Sequence, residues 1–228
     1  MGGVVKIFLF DLDGTLIWSG GAGLKALQLA ACDEFSLPDA TAGITLDGMT
    51  DPAIVRAILE PHGLATEENM RRAIRAYLRH LKRTVAEADG YRVLEGVRES
   101  LDLLESRGRM CALATGNVKR GARLKLERGG LWHRFRLGGF GSDSEDRVRI
   151  VQLALLRARR ALGDFRAQAV VVGDTPRDVA AARGAGLPSL AVATGRYDEA
   201  ALQEAGADLV LPNLARPSTW LATLDRLF

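Results

Sequence analysis

The fold is indicated by residues 4–16, which have the sequence VVKIFLFDLDGTL. The apolar segment Val4–Phe10 is interrupted only by Lys6. It is too short for a typical helix, so it predicts a buried β-strand. Asp11 and Asp13 follow at once. The stretch therefore predicts a strand in the core with two carboxylates at its C-terminal end.

Four further short apolar runs predict strands at Met110–Ala114, Ala169–Val172, Ser189–Ala193 and Asp208–Leu211. Amphipathic helical patterns lie between them, at Gly96–Arg107, Val118–Arg128, Arg147–Leu162, Pro176–Ala185 and Asp198–Ala205. Continuously apolar strands that alternate with helices are typical of a parallel sheet covered on both faces. We therefore predict an α/β fold with a doubly wound, Rossmann-like parallel sheet.

The segment from Ile17 to Glu95 shows no convincing strand but contains several helical patterns, at Leu24–Phe35, Pro52–His62 and Thr66–Ala88. A crossover between parallel strands needs only one helix, so the surplus indicates an insertion. We predict a helical cap domain at residues 18–89 and a core domain formed by residues 1–17 and 90–228.

Composition excludes several classes of protein. The chain has 228 residues, 47% of them hydrophobic and 26% charged, with a net charge of +3. These values exclude intrinsic disorder. No apolar run reaches the roughly 18 residues of a membrane span. The arginine clusters lack the interleaved aromatic residues that stack on bases. We expect neither a membrane nor a nucleic acid as partner, and either a monomer or a homodimer.

The cysteines bear on the cellular compartment. Cys32 and Cys111 lie in apolar stretches and form no Cys-x-x-Cys motif. This pattern predicts free, buried thiols in a reducing environment. The chain also shows no signal-peptide pattern. We therefore expect a cytoplasmic protein.

Polar residues that follow the predicted strands are the candidates for a functional site, because ligands bind beyond the carboxyl ends of parallel strands. They are Asp11 and Asp13 after the first strand, Thr115, Gly116 and Asn117 after the second, and Asp174 and Asp178 after the third. Several carboxylates in one crevice cannot all stay ionised without a counter-charge. An all-oxygen ligand set favours Mg²⁺. Glycine turns also expose backbone N–H groups to a phosphate. Together these features indicate phosphoryl transfer through an aspartyl-phosphate.

Each of these segments also has a plainer structural interpretation. Asp-Gly after a strand is common turn chemistry. Thr175-Pro176-Arg177-Asp178 has the pattern of a helix start with Thr175 as N-cap. Thr115-Gly116-Asn117 fits an ordinary strand-to-helix turn. Their joint occurrence, in this order and at three strand ends, favours the functional interpretation.

The sequence resembles the haloacid dehalogenase superfamily of phosphohydrolases over essentially its whole length. Asp11–Thr15 (DLDGT) matches the first motif of that family, Thr115 the second and Gly173–Asp178 the fourth. The insertion lies between the first two motifs, as in the branch of phosphoglycolate phosphatases and β-phosphoglucomutases. Gly20–Gly23 and Gly48–Asp51 look most like phosphoglycolate-phosphatase-like members.

The resemblance implies a role for each motif residue. Asp11 would attack phosphorus, and Asp13 would protonate the leaving alcohol and then activate water. Mg²⁺ would be held by Asp11, by the backbone carbonyl of Asp13 and by Asp174, with Asp178 in support. Thr15 would orient the first-motif loop. Thr115 would hold the phosphoryl oxygens, together with backbone N–H groups near Gly116 and Asn117.

The third motif departs from the family, which usually has a lysine there. The best match is Arg147, at a predicted helix start. Arginine can also grip a phosphate, although its geometry differs from that of lysine. Lys119 and Lys125 are alternatives on the preceding helix. Arg147 could instead be a surface arginine paired with Glu145 or Asp146.

The candidate cap contacts to substrate are Gly21, Lys25, Thr50 and Asp51. Lys25 could equally be a solvated helix residue, and Thr50 and Asp51 could form a helix N-terminus.

The predicted function is a Mg²⁺-dependent phosphatase that acts on a small, phosphoglycolate-like phosphorylated metabolite. A phosphomutase is the main alternative, and it would need a second phosphate site in the cap. Asp13 and the Asp174/Asp178 pair argue against a dehalogenase. Asp11 and Asp13 together argue against a non-catalytic binding module.

Overall fold

The structure, a computed structural model, describes residues 5–227. The strands of this part of the chain are β1 (Ile7–Phe10), β2 (Ile17–Ser19), β3 (Tyr91–Val93), β4 (Met110–Thr115), β5 (Gly138–Phe140), β6 (Ala169–Gly173), β7 (Ser189–Val192) and β8 (Leu209–Leu211). The α-helices are α1 (Ala22–Phe35), α2 (Asp51–Leu59), α3 (Glu67–Glu87), α4 (Val97–Ser106), α5 (Lys119–Arg128), α6 (Arg147–Leu162), α7 (Pro176–Gly184), α8 (Glu199–Glu204) and α9 (Pro217–Leu227).

The central strand of the main sheet is β1. The sheet is parallel throughout, in the order β5-β4-β1-β6-β7-β8. Phe10, the last residue of β1, pairs with Leu113 of β4 on one side and with Val172 of β6 on the other. The three strands that precede the candidate site are therefore neighbours. Val4, where we predicted the first strand to begin, lies outside the described residues.

Helices cover both faces of this sheet, which confirms the doubly wound α/β architecture. Side chains of a strand alternate between faces. Phe8 therefore packs in one hydrophobic cluster with Leu101 of α4 and Trp220 of α9. Leu9 points to the opposite face, where it packs in a second cluster with Val151 of α6.

Four of the strands and α-helices in residues 5–227 were not predicted. They are β5, the C-terminal helix α9, and the strands β2 and β3, which pair as a small antiparallel ribbon. The expectation of no strand between Ile17 and Glu95 is thus wrong at both ends of that segment. β2 and β3 have three residues each and mix apolar with polar ones, and β5 contains two glycines, so none of them shows a clear apolar run.

Residues 20–90, between β2 and β3, are called the cap segment below. Its helices α1, α2 and α3 bury a hydrophobic cluster of their own, which includes Leu27, Ile58 and Leu81. The chain leaves and re-enters the core at adjacent points, because Gly20 approaches the backbone of Gly90 and Tyr91. The domain boundary at residues 18–89 stays a prediction.

Both cysteines are free, but only Cys111 is partly shielded from solvent. Cys32 is exposed on α1, so the prediction that it is buried is wrong. Among the helices within residues 5–227, none combines the length and the apolar character that a membrane span requires.

We predict that Gly96→Ala destabilises the core far more than Gly108→Ala. Both glycines have positive φ, 75° and 65°, so alanine costs about 1–2 kcal/mol at either position. A Cβ at Gly96 would also overlap the backbone of Leu214 and Ala215, whereas a Cβ at Gly108 meets open space. This overlap adds roughly 1–3 kcal/mol. Urea unfolding measures both variants, and equal destabilisation would contradict the packing at Gly96.

Candidate active site

The candidate site lies at the carboxyl ends of β1, β4 and β6. Asp11 follows β1 directly, Thr115 ends β4 and Asp174 follows β6. All three side chains are buried. Because these adjacent strands are parallel, their carboxyl ends lie on the same side of the sheet. This agrees with the prediction that the polar residues after the strands lie together.

Three carboxylates form a buried acidic cluster. Asp11, Asp174 and Asp178 each place an oxygen within 4.8 Å of the others. Burial, together with the charges of Asp178 and Asp13, raises the pKa of Asp11 to about 7 against the opposing charge of Arg147. Burial and the charges of Asp178 and Asp11 also raise the pKa of Asp174 well above its usual range. The cluster therefore needs a positive charge to ionise fully.

The Asp174 carboxylate fits between two backbone segments because the residues that contact it there, Gly14 and Gly195, have no side chain. A Cβ at Gly14 or at Gly195 would overlap the Asp174 carboxylate. Thr15 Oγ1 donates a hydrogen bond of 3.0 Å to Asp174 Oδ1 and holds its orientation. An all-oxygen, tightly framed carboxylate set of this kind fits Mg²⁺.

Arg147 begins α6 and points into this cluster. Its side chain is only 12% exposed, its Nη2 lies 3.5 Å from Asp11 Oδ1, and it forms an ion pair with Asp178. Its Nη1 donates to the carbonyl of Gly48 in the cap segment, at 3.2 Å. The interpretation of Arg147 as a surface residue is therefore wrong. Glu145, its alternative partner, pairs instead with Arg56.

Asp13 is held by a buried lysine that the sequence analysis named only as an alternative. Lys125 Nζ lies 2.5 Å from Asp13 Oδ2 and donates to Asn117 Oδ1 at 2.7 Å. Asn117 Nδ2 donates to the same Asp13 oxygen at 2.9 Å. Burial alone would raise the pKa of Asp13, but the charge and hydrogen bonds of Lys125 and Asn117 lower it. Asp13 Oδ1 is buried and accepts no hydrogen bond within residues 5–227, although 37% of the side chain as a whole is exposed.

A pattern in the sequence could have indicated Lys125. It lies four residues after Gly121 on α5, and both residues are buried on the same face of that helix. A lysine on the buried face of a helix requires an anionic partner. Only the fold shows that this partner is Asp13.

Thr115, Gly116 and Asn117 form the turn after β4. Thr115 Oγ1 accepts hydrogen bonds from the backbone and side-chain nitrogens of Asn117, at 3.3 and 3.1 Å. The carbonyl of Gly116 accepts from the backbone N–H of Asp51 at 2.8 Å. The turn therefore supports Asp13 and also contacts the cap segment.

Thr175 and Asp178 form a capping box at the start of α7, with Pro176 in the first turn. The plainer interpretation of this segment as a helix start is thus confirmed. Asp178 still contributes an oxygen to the acidic cluster and pairs with Arg147. Asp178 both caps α7 and belongs to the acidic cluster, because α7 begins next to that cluster.

The candidate cap residues occupy different places. Gly21 and Asp51 line the cavity above the acidic cluster. Lys25 is exposed on α1. Thr50 is buried as the N-cap of α2, where its Oγ1 accepts from Ala53 N at 3.2 Å. The Asp51 carboxylate accepts from Val118 N at 2.8 Å, and burial raises its pKa to about 6.

A cavity of about 240 Å³ lies between the core and the cap segment. Asp11, Asp13, Asp174, Arg147 and Lys125 line its core side. Tyr77 of the cap segment also lines it. The arrangement combines a buried carboxylate next to an arginine, a second carboxylate bound to a buried lysine, and a cavity beside them. Such a site can transfer a phosphoryl group.

Comparison with known proteins agrees with this class of site. A family model described as haloacid dehalogenase-like hydrolase matches residues 5–186. The chain is 31% identical to the phosphoglycolate phosphatase of Chromobacterium violaceum, over 92% of this chain and 94% of that protein. It is 28% identical to a protein of Dickeya dadantii named "Probable phosphatase IndB", over 90% and 88% of the two chains. A hydrolase from Pseudomonas syringae has the same fold, with a TM-score of 0.73, 24% identity and coverage of 97% and 98%.

The fold, the site and these relatives define a hydrolase of phosphoric monoesters, that is, a phosphatase. More specifically, the chain belongs to the haloacid dehalogenase-like hydrolases, of the branch similar to phosphoglycolate phosphatases.

We predict that Lys125→Met lowers the phosphatase kcat about 100-fold or more, because Asp13 loses the cation that orients it. Lys119→Met is the matched control, since Lys119 is exposed on the same helix. It should keep nearly full activity. Release of phosphate from p-nitrophenyl phosphate, with circular dichroism to check folding, measures both variants. A folded, fully active Lys125→Met protein would contradict this role.

Proposed function

We propose that this protein is a Mg²⁺-dependent phosphatase that hydrolyses a small phosphorylated metabolite through an aspartyl-phosphate on Asp11. The observation that carries the proposal is the different environment of two carboxylates two residues apart. Asp11 lies in the acidic cluster next to Arg147. Asp13 is bound to Lys125 and Asn117, and 37% of its side chain is exposed.

Mg²⁺ would be held by Asp11, Asp174 and the backbone carbonyl of Asp13, with Asp178 nearby. It would neutralise the cluster and draw electron density from a phosphoryl oxygen. The glycine frame around Asp174 and the all-oxygen donor set support this assignment.

In the first step an Asp11 oxygen bonds to phosphorus while the bond from phosphorus to the leaving oxygen breaks. Asp13 must first bind a proton, which Lys125 and Asn117 oppose, and it then transfers this proton to the leaving oxygen. Arg147 and the backbone N–H groups near Gly116 and Asn117 offset the charge on the phosphoryl oxygens. The product alcohol then leaves the cavity.

In the second step Asp13, now a carboxylate, takes a proton from water. The water oxygen bonds to phosphorus, the bond to Asp11 breaks and inorganic phosphate is released. Lys125 and Asn117 hold Asp13 at the position that both steps need. Their interaction favours the ionised form, which suits the second step.

A phosphomutase fits the cavity less well. A mutase must bind a second phosphate on the cap side. Of the described cap residues that line the cavity, none is Lys, Arg or His. This supports hydrolysis. The phosphoglycolate-like substrate stays a prediction, since the names of the relatives describe those proteins.

We predict that Asp11→Asn lowers phosphate release from p-nitrophenyl phosphate at least about 10³-fold, because no nucleophile remains. EDTA should abolish wild-type activity and added Mg²⁺ should restore it. Asp39→Asn is the control, since Asp39 is exposed in a cap loop. A trapped phosphoenzyme should be detectable by mass spectrometry of the wild type and absent in Asp11→Asn. Activity that persists in EDTA or in Asp11→Asn would refute the mechanism.

A further inference from the structure

The cavity wall opposite the catalytic carboxylates is largely apolar. It is formed by β2, by α1, by the loop between α1 and α2, and by α2. Its apolar residues are Trp18, Leu24, Leu27, Leu46, Met49 and Ile54. Leu24 leaves 39% of its surface exposed at this wall. The wall therefore offers contact to an apolar group that enters from the mouth of the cavity.

The cations that line the cavity are already paired. Within the described part of the chain they are Lys125, Arg147 and Arg196, and none comes from the cap segment. Lys125 binds Asp13, and Arg147 binds Asp178 and lies near Asp11. The side chain of Arg196 is 70% exposed and its Nη1 lies 3.3 Å from Asp47 Oδ2. Within residues 5–227 these three cations face five lining carboxylates, which are Asp11, Asp13, Asp47, Asp51 and Asp174.

Carboxylates also face this part of the cavity. Asp47 and Asp51 belong to the cap segment and line the same space. Asp47 is balanced by Arg196, but Asp51 forms no salt bridge within residues 5–227. A carboxylate on the leaving group would lose its hydration and enter a cavity whose lining carboxylates outnumber its cations. The charge of the wall therefore disfavours an acid such as glycolate as leaving group.

We infer that this site selects phosphomonoesters whose leaving alcohol is uncharged and carries an apolar portion, which packs against Leu24, Met49 and Ile54. The inference rests on the proposed function, because it assumes that the phosphoryl group lies at Asp11. It departs from the substrate that the names of several relatives state, and from the phosphoglycolate-like substrate expected from the sequence. The acidic cluster binds the phosphoryl end, and the cap wall decides which alcohol can follow it.

One pair of substrates isolates the charge. 2-Phosphoglycolate and its methyl ester have nearly the same size and the same reacting bond, and they differ in the carboxylate. With Mg²⁺, the methyl ester should have a kcat/KM at least about 10-fold higher. Ethyl and n-butyl phosphate isolate the apolar contact, and butyl phosphate should be preferred by at least about 10-fold.

A variant tests whether the wall causes the preference. Leu24→Lys places a cation at the mouth of the cavity on a partly exposed position, so the protein should fold. It should reduce the preference for the methyl ester at least about 5-fold. Leu156→Lys is the matched control, because Leu156 is 44% exposed on α6 and does not line the cavity. This control should keep the wild-type preference.

These experiments distinguish a failure of the substrate inference from a failure of the proposed phosphatase function. If 2-phosphoglycolate is hydrolysed as well as its methyl ester, or if Leu24→Lys leaves the ratio unchanged, the inference is wrong and the phosphatase stands. If no ester, including p-nitrophenyl phosphate, releases phosphate in a manner that depends on Mg²⁺ and Asp11, the proposed function fails. The inference then fails with it.

Discussion

The site depends on charge compensation in a buried crevice. Asp11, Asp13, Asp174 and Asp178 converge where three parallel strands end. Carboxylates so close to one another are unfavourable unless cations accompany them. Arg147 from α6 offsets part of the charge of the acidic cluster, while a lysine of α5 compensates Asp13. The remaining negative charge is what makes a divalent cation a fitting partner for this site.

Arg147 and Lys125 also contact the cap segment. Arg147 donates to the carbonyl of Gly48, and Lys125 lies beside Gly23, where a Cβ would approach its Nζ to 3.4 Å. The start of α2 adds direct contacts, since Asp51 binds the backbone of Gly116 and Val118. Docking of the cap and neutralisation of the crevice thus share residues. A cap that moved away would break some of the hydrogen bonds that orient the site.

Much of the fold and part of the site could be predicted from local patterns. The strands β1, β4 and β6 are continuously apolar and end in polar residues, so their exits marked the site. β5 escaped detection because Gly138 and Gly139 carry no side chain. The structure shows why these two positions are glycine. A Cβ at Gly138 would collide with Leu113, and a Cβ at Gly139 would collide with Ile150. Lys125 was hard to assign because its anionic partner is 112 residues away in the chain.

The sequence by itself determined the chemistry available to this protein. A short apolar strand followed by Asp11 and Asp13 predicts two carboxylates at the C-terminal end of that strand, because the apolar run and the turn are both visible in neighbouring residues. Only the tertiary structure decided how that chemistry is directed. It placed Arg147 and Lys125 on different carboxylates and set an apolar wall of the cap over them. Such pairings join residues far apart in the chain, and periodicity carries no information about them.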